Sequence, residues 1–269
     1  MKEKNLKLLE ELKENDFDMS LVEDKLNFTY ELLACIGVKD PHHRDELIYP
    51  ALARLLYRDH LSDESLLDIL KILFSKSHLF FGIGTTDDKV FTRTFSSLQI
   101  AVLLYKHNQK KFIPRDTYIE YFEMFLDYYE QETDLRGFLP EEGWAHSIAH
   151  AADVFKQFAQ AKELDSTDLL KLLDVIQNKF MQSDYFFINN EDERTVSAIE
   201  LLLKRDLVEP NVFIEWMKKF EHYEKEEDYK LEFIINSNIK NLLRSLYFRV
   251  NKFHDEIDEI LYIINPFKK

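Results

Sequence analysis

The sequence predicts an all-α fold made of tandem helical hairpins. Apolar residues recur at helical spacing along almost the whole chain. Glycine and proline number only 5 and 6 in 269 residues, where an all-β chain would need many more turn formers. Helix-start signals also fall where the periodicity needs them. Hairpins in tandem share one continuous core, which predicts an α-solenoid of HEAT-like type or an α/α-toroid-like array. The expected organisation is a single helical-repeat domain over 1–269 with no sheet. Helix content should exceed about 60%, against about a third for an average globular protein.

Residues 1–35 form the leading helical pair. Its start, MKEKNLKLLEELKEN, is charged and amphipathic without an uninterrupted apolar core, so it reads as helix and not as a secretory leader. Five hairpins follow, at about 43–77, 88–130, 141–182, 190–222 and 229–263. Asp40-Pro41, Ser62-Asp63-Glu64, Pro114-Arg115-Asp116, Ser166-Thr167-Asp168 and Glu209-Pro210 mark helix starts by cap, first-turn proline or first-turn acid. Leu55-Leu56-Tyr57-Arg58 resembles Leu103-Leu104-Tyr105-Lys106, 48 positions on, which sets the repeat. Pro50 falls inside the helix expected over 43–58 and should kink or split it. Gly37, Gly82, Gly84, Gly137 and Gly143 sit in the joins. The run Tyr223-Glu224-Lys225-Glu226-Glu227-Asp228 reads as a solvated loop.

A net charge of -15 opposes binding to phosphate backbones and to anionic lipid, so neither nucleic acid nor membrane is an expected partner. No stretch approaches the roughly 18 apolar residues of a membrane span. Cys35, the single cysteine, cannot form an internal disulfide and lies in an apolar run, as a buried small hydrophobe would. The chain is therefore expected in the cytoplasm. Most of the 22 Phe and 13 Tyr fall beside Leu and Ile at helical spacing and read as core. No nucleophile elbow, P-loop, His-Glu-x-x-His or paired-cysteine motif is present, and Gly82-Ile83-Gly84 reads as a turn.

One segment, Glu132 to Asp153, stands apart. A helix is expected to begin near Gly143, on which His146, His150 and Asp153 fall at i, i+4, i+7 and share a face. Two imidazoles and a carboxylate suit a divalent metal, or acid–base work in which the Asp orients a His. The first reading, though, is structural, with both His hydrogen-bonded in a tightly packed repeat and tied to Asp134 or Arg136 in the preceding loop; a groove with Trp144 comes next, and the metal or catalytic site last. Ala145, Ala149, Ala151 and Ala152 leave room for close approach by a helix or a ligand. Arg44 and Arg93 open neighbouring units. They could hold an anion beside free helix-start N–H groups, or pair with Asp45 and Asp134 to tie the repeats together.

Val90–Ala101 (VFTRTFSSLQIA), Asp134–Gly137 (DLRG) and Gly143–Asp153 (GWAHSIAHAAD) together resemble the bacterial family named domain of unknown function 2785. Gly37 with Asp40-Pro41 and Arg44-Asp45 is similar to that family's N-terminal pattern. The resemblance covers about residues 30–165 and elsewhere only helical character. It implies an all-helical, soluble bacterial protein, and it brings no activity and no catalytic residues. Ala151 stands where a glycine is common and Thr94 where a serine is usual; neither change threatens the helix. Two functions compete. The first is a binding or scaffold module for a protein or small-molecule partner, with a polar groove around the GWAHSIAHAAD helix. The second is a metal-dependent hydrolase centred on His146, His150 and Asp153.

Overall fold

The computed structural model describes residues 2–223 and 226–265. Of these, 68% are helical, and the chain divides into two compact units, Met1–Val154 and Phe155–Lys269.

The first unit begins with α1 (Glu3–Glu14), a 3-10 turn at Met19–Leu21 and α2 (Lys25–Leu33). The Asp24 side chain caps α2 by accepting from the Asn27 amide at 3.0 Å. Next come a π-helix at His42–Ile48 and α3 (Tyr49–Tyr57). Here the expected split at Pro50 takes a specific form. Pro50 has no N–H to give to an i−4 carbonyl, and the turns before it widen to the i→i+5 pattern. Then follow α4 (Asp63–Leu73), α5 (Lys89–Gln109) and α6 (Arg115–Gln131). α3 and α4 both pack on α5. Because 15 of the 21 residues of α5 are buried, it is a core helix with almost no solvent face. Gly37 allows the closest approach to it: a Cβ there would lie 2.0 Å from Thr92 Oγ1 and 2.6 Å from the Thr92 backbone.

Two expectations are corrected in the next segment. No helix begins at Gly143. Residues 138–144 instead make a small antiparallel hairpin, β1 (Phe138–Leu139) and β2 (Gly143–Trp144), so the fold is not free of strand. The reason lies in the backbone. Gly143 and His146 have φ of +76° and +54°, which a right-handed helix cannot contain. The helix α7 starts only at Ser147 and runs to Gln160, and the boundary between the two units falls inside it.

The second unit continues with α8 (Ser166–Phe180), α9 (Glu191–Leu203), α10 (Pro210–Lys218), α11 (Tyr229–Arg249) and α12 (His254–Ile263). Asp165 and Asp168 form a full capping box at the start of α8. Trp216 Nε1 donates to Leu173 O at 3.0 Å and Gln177 Nε2 donates to Trp216 O at 2.8 Å, which fastens α10 to α8. α11 packs on α9 and α12. In the acidic run at 223–228, Glu224 and Lys225 lie outside the described residues. Its flanks are tied to α11, with Tyr223 Oη donating to Glu232 Oε1 at 2.5 Å and the Glu226 amide to Glu232 Oε2 at 3.2 Å. Among the described residues no helix is long and apolar enough to cross a membrane.

Candidate functional site

All eight candidate residues belong to the first unit. They form two layers, a buried ionic base and a partly exposed ledge of rings above it.

The base begins at Glu132, the residue that ends α6. Arg93 is fully buried on α5, and its guanidinium meets Glu132 bidentately: Nε to Oε2 at 2.6 Å and Nη2 to Oε1 at 2.8 Å. Its other donors reach Phe81 O at 3.0 Å, Gly82 O at 3.3 Å and Thr85 O at 3.1 Å. Burial pulls the Arg93 pKa down, but the bonds and charge of Glu132 outweigh it and the net shift is upward. The expected partner, Asp134, is instead engaged by Arg136, at 2.7 and 2.5 Å. That hydrogen bond raises the Arg136 pKa. Glu132 joins the pairs, since its Oε1 also accepts from the Asp134 amide at 3.0 Å.

Arg44 anchors the hairpin. The π-helix turns it inward, where it is fully buried against Phe91 and Phe95, with Cζ 4.1 and 4.8 Å from the ring centroids. Nη1 donates to Val38 O and Lys39 O at 3.1 and 3.0 Å, and Nη2 donates to Glu142 O in the hairpin turn at 2.6 Å. Nε lies 2.8 Å from Asp45 Oδ1, a charge pair whose N–H is not aligned for a hydrogen bond. Burial lowers the Arg44 pKa and raises that of Asp45, each against the pull of the other charge. Asp45 also accepts from the Trp144 amide. Gly143 fits into this contact because it has no Cβ; one there would lie 2.9 Å from Pro41 Cβ and 3.2 Å from Arg44 Nη2. Both arginines are thus committed to protein oxygens, and neither is presented to a solvent anion.

The histidines stand between base and ledge. His146 precedes α7 rather than riding on it. Its amide donates to Arg136 O at 2.9 Å and its carbonyl accepts from the His150 amide at 3.0 Å, so it serves as the helix N-cap. Ser147 Oγ donates to Asp134 O at 2.7 Å, fixing the helix start to the ionic base. The His146 and His150 rings are 5.6 Å apart and tilted by 54°, and both residues are about 6% exposed. His150 meets Phe95 edge-on at 5.5 Å. His146 carries Trp144 stacked at 4.6 Å and 19°, and Phe138 meets Trp144 edge-on at 5.0 Å. Those outer rings are exposed, Trp144 by 38% and Phe138 by 51%. Asp153 lies two turns along α7, half-buried. Among the described residues no three His, Cys, Asp or Glu side chains gather so as to hold a metal ion. The expected i, i+4, i+7 set is therefore not assembled as a ligand cluster, because its first member stands off the helix.

The model of a family described as protein of unknown function, DUF2785, matches residues 79–248, more than half of the chain. The chain belongs to the DUF2785 family. The match takes in the three motif segments and extends beyond the resemblance through most of α11, whereas Gly37 and Arg44-Asp45 lie before it. No curated protein and no solved structure matches the chain.

Sequence reasoning missed Glu132, Phe138 and Phe95. Glu132 did leave a signal: an acid at a helix C-terminus opposes the helix dipole and needs a cation to offset it. Phe138 and Phe95 left none, since apolar rings at a loop and on a core helix look alike in every helical sequence.

Proposed function

We propose that this DUF2785 member is a binding module whose contact surface is the ledge of Phe138, Trp144 and His146. One observation carries the reading: two large rings are exposed side by side on a hairpin anchored by the fully buried, ion-paired Arg44. An exposed Trp–Phe pair adds little to folding, while aromatic anchors on a rigid base give much contact area at low entropic cost. Arg44, Arg93, Asp134 and Arg136 act as positioning residues. His150 backs the ledge from α7, beside His146. His146 is its inner wall rather than a metal ligand, since among the described residues no cluster of His, Cys, Asp or Glu is placed to hold a metal ion. The net charge of -15 makes nucleic acid and anionic membrane poor partners and leaves a protein or small molecule. The lone Cys35 suits the reducing cytoplasm.

The helical-repeat, HEAT-like part of the reading draws support from pairs of rings about one repeat apart that lie side by side in the first unit. Tyr57 and Tyr105 are 5.5 Å apart, Phe74 and Tyr121 are 4.3 Å apart, and Phe80 and Tyr128 are 6.1 Å apart. Equivalent positions meet in this way when hairpins stack in register.

The test uses 5-fluorotryptophan and fluorine NMR. The protein has two tryptophans, and Trp216 is 2% exposed in the second unit, so it serves as an internal reference. A library of small aromatic and peptide probes should shift the Trp144 resonance and leave Trp216 still. Trp144→Ala should abolish binding of those probes and keep the melting temperature within about 2 °C, the expected range for a partly exposed side chain. Probes that bind Trp144→Ala as well as they bind the parent protein refute the ledge.

A further inference from the structure

We propose that the pocket between α11 and α12 is a binding site for a small oxyanion of the phosphate or carboxylate class, held by Lys240 and Arg244. The pocket has a volume of about 520 Å³ and is lined by Lys240, Arg244, Leu261, Tyr262 and Asn265. It lies wholly in the second unit and is distinct from the aromatic ledge.

The argument starts from charge. Lys240 and Arg244 are i, i+4 neighbours on α11, so two cations stand on one face, an arrangement that destabilises a helix unless something balances it. Nothing in the described protein does. No described carboxylate lies within ion-pair distance of either residue. Three other cations of this unit do have acidic partners. Arg249, five positions on, pairs with Glu200 at 2.9 Å and Glu193 at 3.6 Å, Lys204 pairs with Glu200 at 2.6 Å, and Lys219 pairs with Asp174 at 2.8 Å. On α9, which packs against α11, Asp192 is engaged by Ser245 at 2.7 Å. The acids of α12, Asp255, Glu256, Asp258 and Glu259, make no ion pair with Lys240 or Arg244 either. Lys240 and Arg244 thus share a concavity with no described carboxylate in an ion pair with either. They are what an anion site requires.

The chemistry fits a small oxyanion. An ammonium supplies a point charge and a guanidinium supplies a planar fork that takes two oxygens at once. Tyr262 and Asn265 line the rim of the pocket. Burial, and then the charge of Arg244, lower the Lys240 pKa; a bound anion opposes both. Two cations are too few for a nucleic-acid track, where affinity grows with the number of phosphates neutralised. The pocket therefore favours a single free anionic group.

The experiment titrates the full-length protein with inorganic phosphate and, separately, with succinate, at constant ionic strength set by sodium chloride. Backbone amide shifts are followed by NMR. The expected result is a saturable shift centred on Tyr262 and Asn265, with a dissociation constant below about 10 mM for at least one of the two anions. The stronger of the two identifies the source as phosphate or carboxylate. Lys240→Gln/Arg244→Gln should weaken binding at least about tenfold, the loss expected for one charge-assisted contact. Without anion, the double variant should melt at or slightly above the parent temperature, because a repulsion has been removed. No saturable shift with either anion, or equal shifts in the double variant, overturns the proposal. So does a double variant that melts well below the parent without anion, since that shows the cations to be balanced within the fold.

Discussion

Changing Glu132 to Gln is the sharpest test of the buried base beneath the ledge. Glu132 is 1% exposed and Arg93 fully buried, so their charges are screened little by water or salt. The substitution leaves Arg93 charged with three backbone carbonyls for company. It also turns one carboxylate oxygen into an NH2 group facing a donor: Arg93 Nε, Arg93 Nη2 or the Asp134 amide. Breaking one partner of a buried pair costs about 3–5 kcal/mol. At roughly 2–4 °C per kcal/mol for a protein of this size, the melting temperature should fall by roughly 6–20 °C. Differential scanning calorimetry at low and at 0.5 M salt measures it, and the drop should be the same at both. Arg93→Met/Glu132→Leu should recover most of the loss, because an apolar pair of similar volume leaves no buried charge. A Glu132→Gln protein that melts within about 1 °C of the parent refutes the assignment of the pair to the core; any single surface ion pair would give that small effect.

Four further outcomes follow from local geometry. Gly37→Ala should destabilise strongly, by more than about 3 kcal/mol, because the new methyl meets the Thr92 backbone with no room to shift. Gly143→Ala should cost about 1–3 kcal/mol from its positive φ and the Pro41 contact, and should broaden the Trp144 resonance; unchanged melts in urea would contradict both. His42 donates between Glu10 at 3.0 Å and Glu46 at 3.1 Å, which raises its pKa, Glu10 contributing most. A raised folded pKa means that this contribution is full below the unfolded value of about 6.5 and fades as pH rises through the folded value. The difference in melting temperature between parent and His42→Gln should therefore be largest at pH 5.5 and vanish by pH 9. A difference that grows with pH would be the wrong sign. Finally, Asp165→Ala removes the acceptor of the α8 capping box and should cost about 1 kcal/mol by urea denaturation.

Helix periodicity, caps and scarce glycine are local properties, and from them the sequence determined the class of fold and most helix positions. The motif segments determined the family as well. Tertiary structure decided what the motifs do, because that depends on which atoms meet across long separations. Arg93 had two acids within reach of its loop, and only the path of the chain after α6 placed Glu132 rather than Asp134 in its fork. The spacing of His146, His150 and Asp153 was legible, but a helix face exists only where the helix does. Two positive φ angles, at Gly143 and His146, moved the helix start to Ser147 and put a hairpin in its place. Left-handed backbone at a non-glycine residue leaves no trace in composition or periodicity. At His146 it is held by the amide's bond to Arg136 O, and the hairpin before it is held by Arg44, 98 positions before the Glu142 carbonyl that it binds.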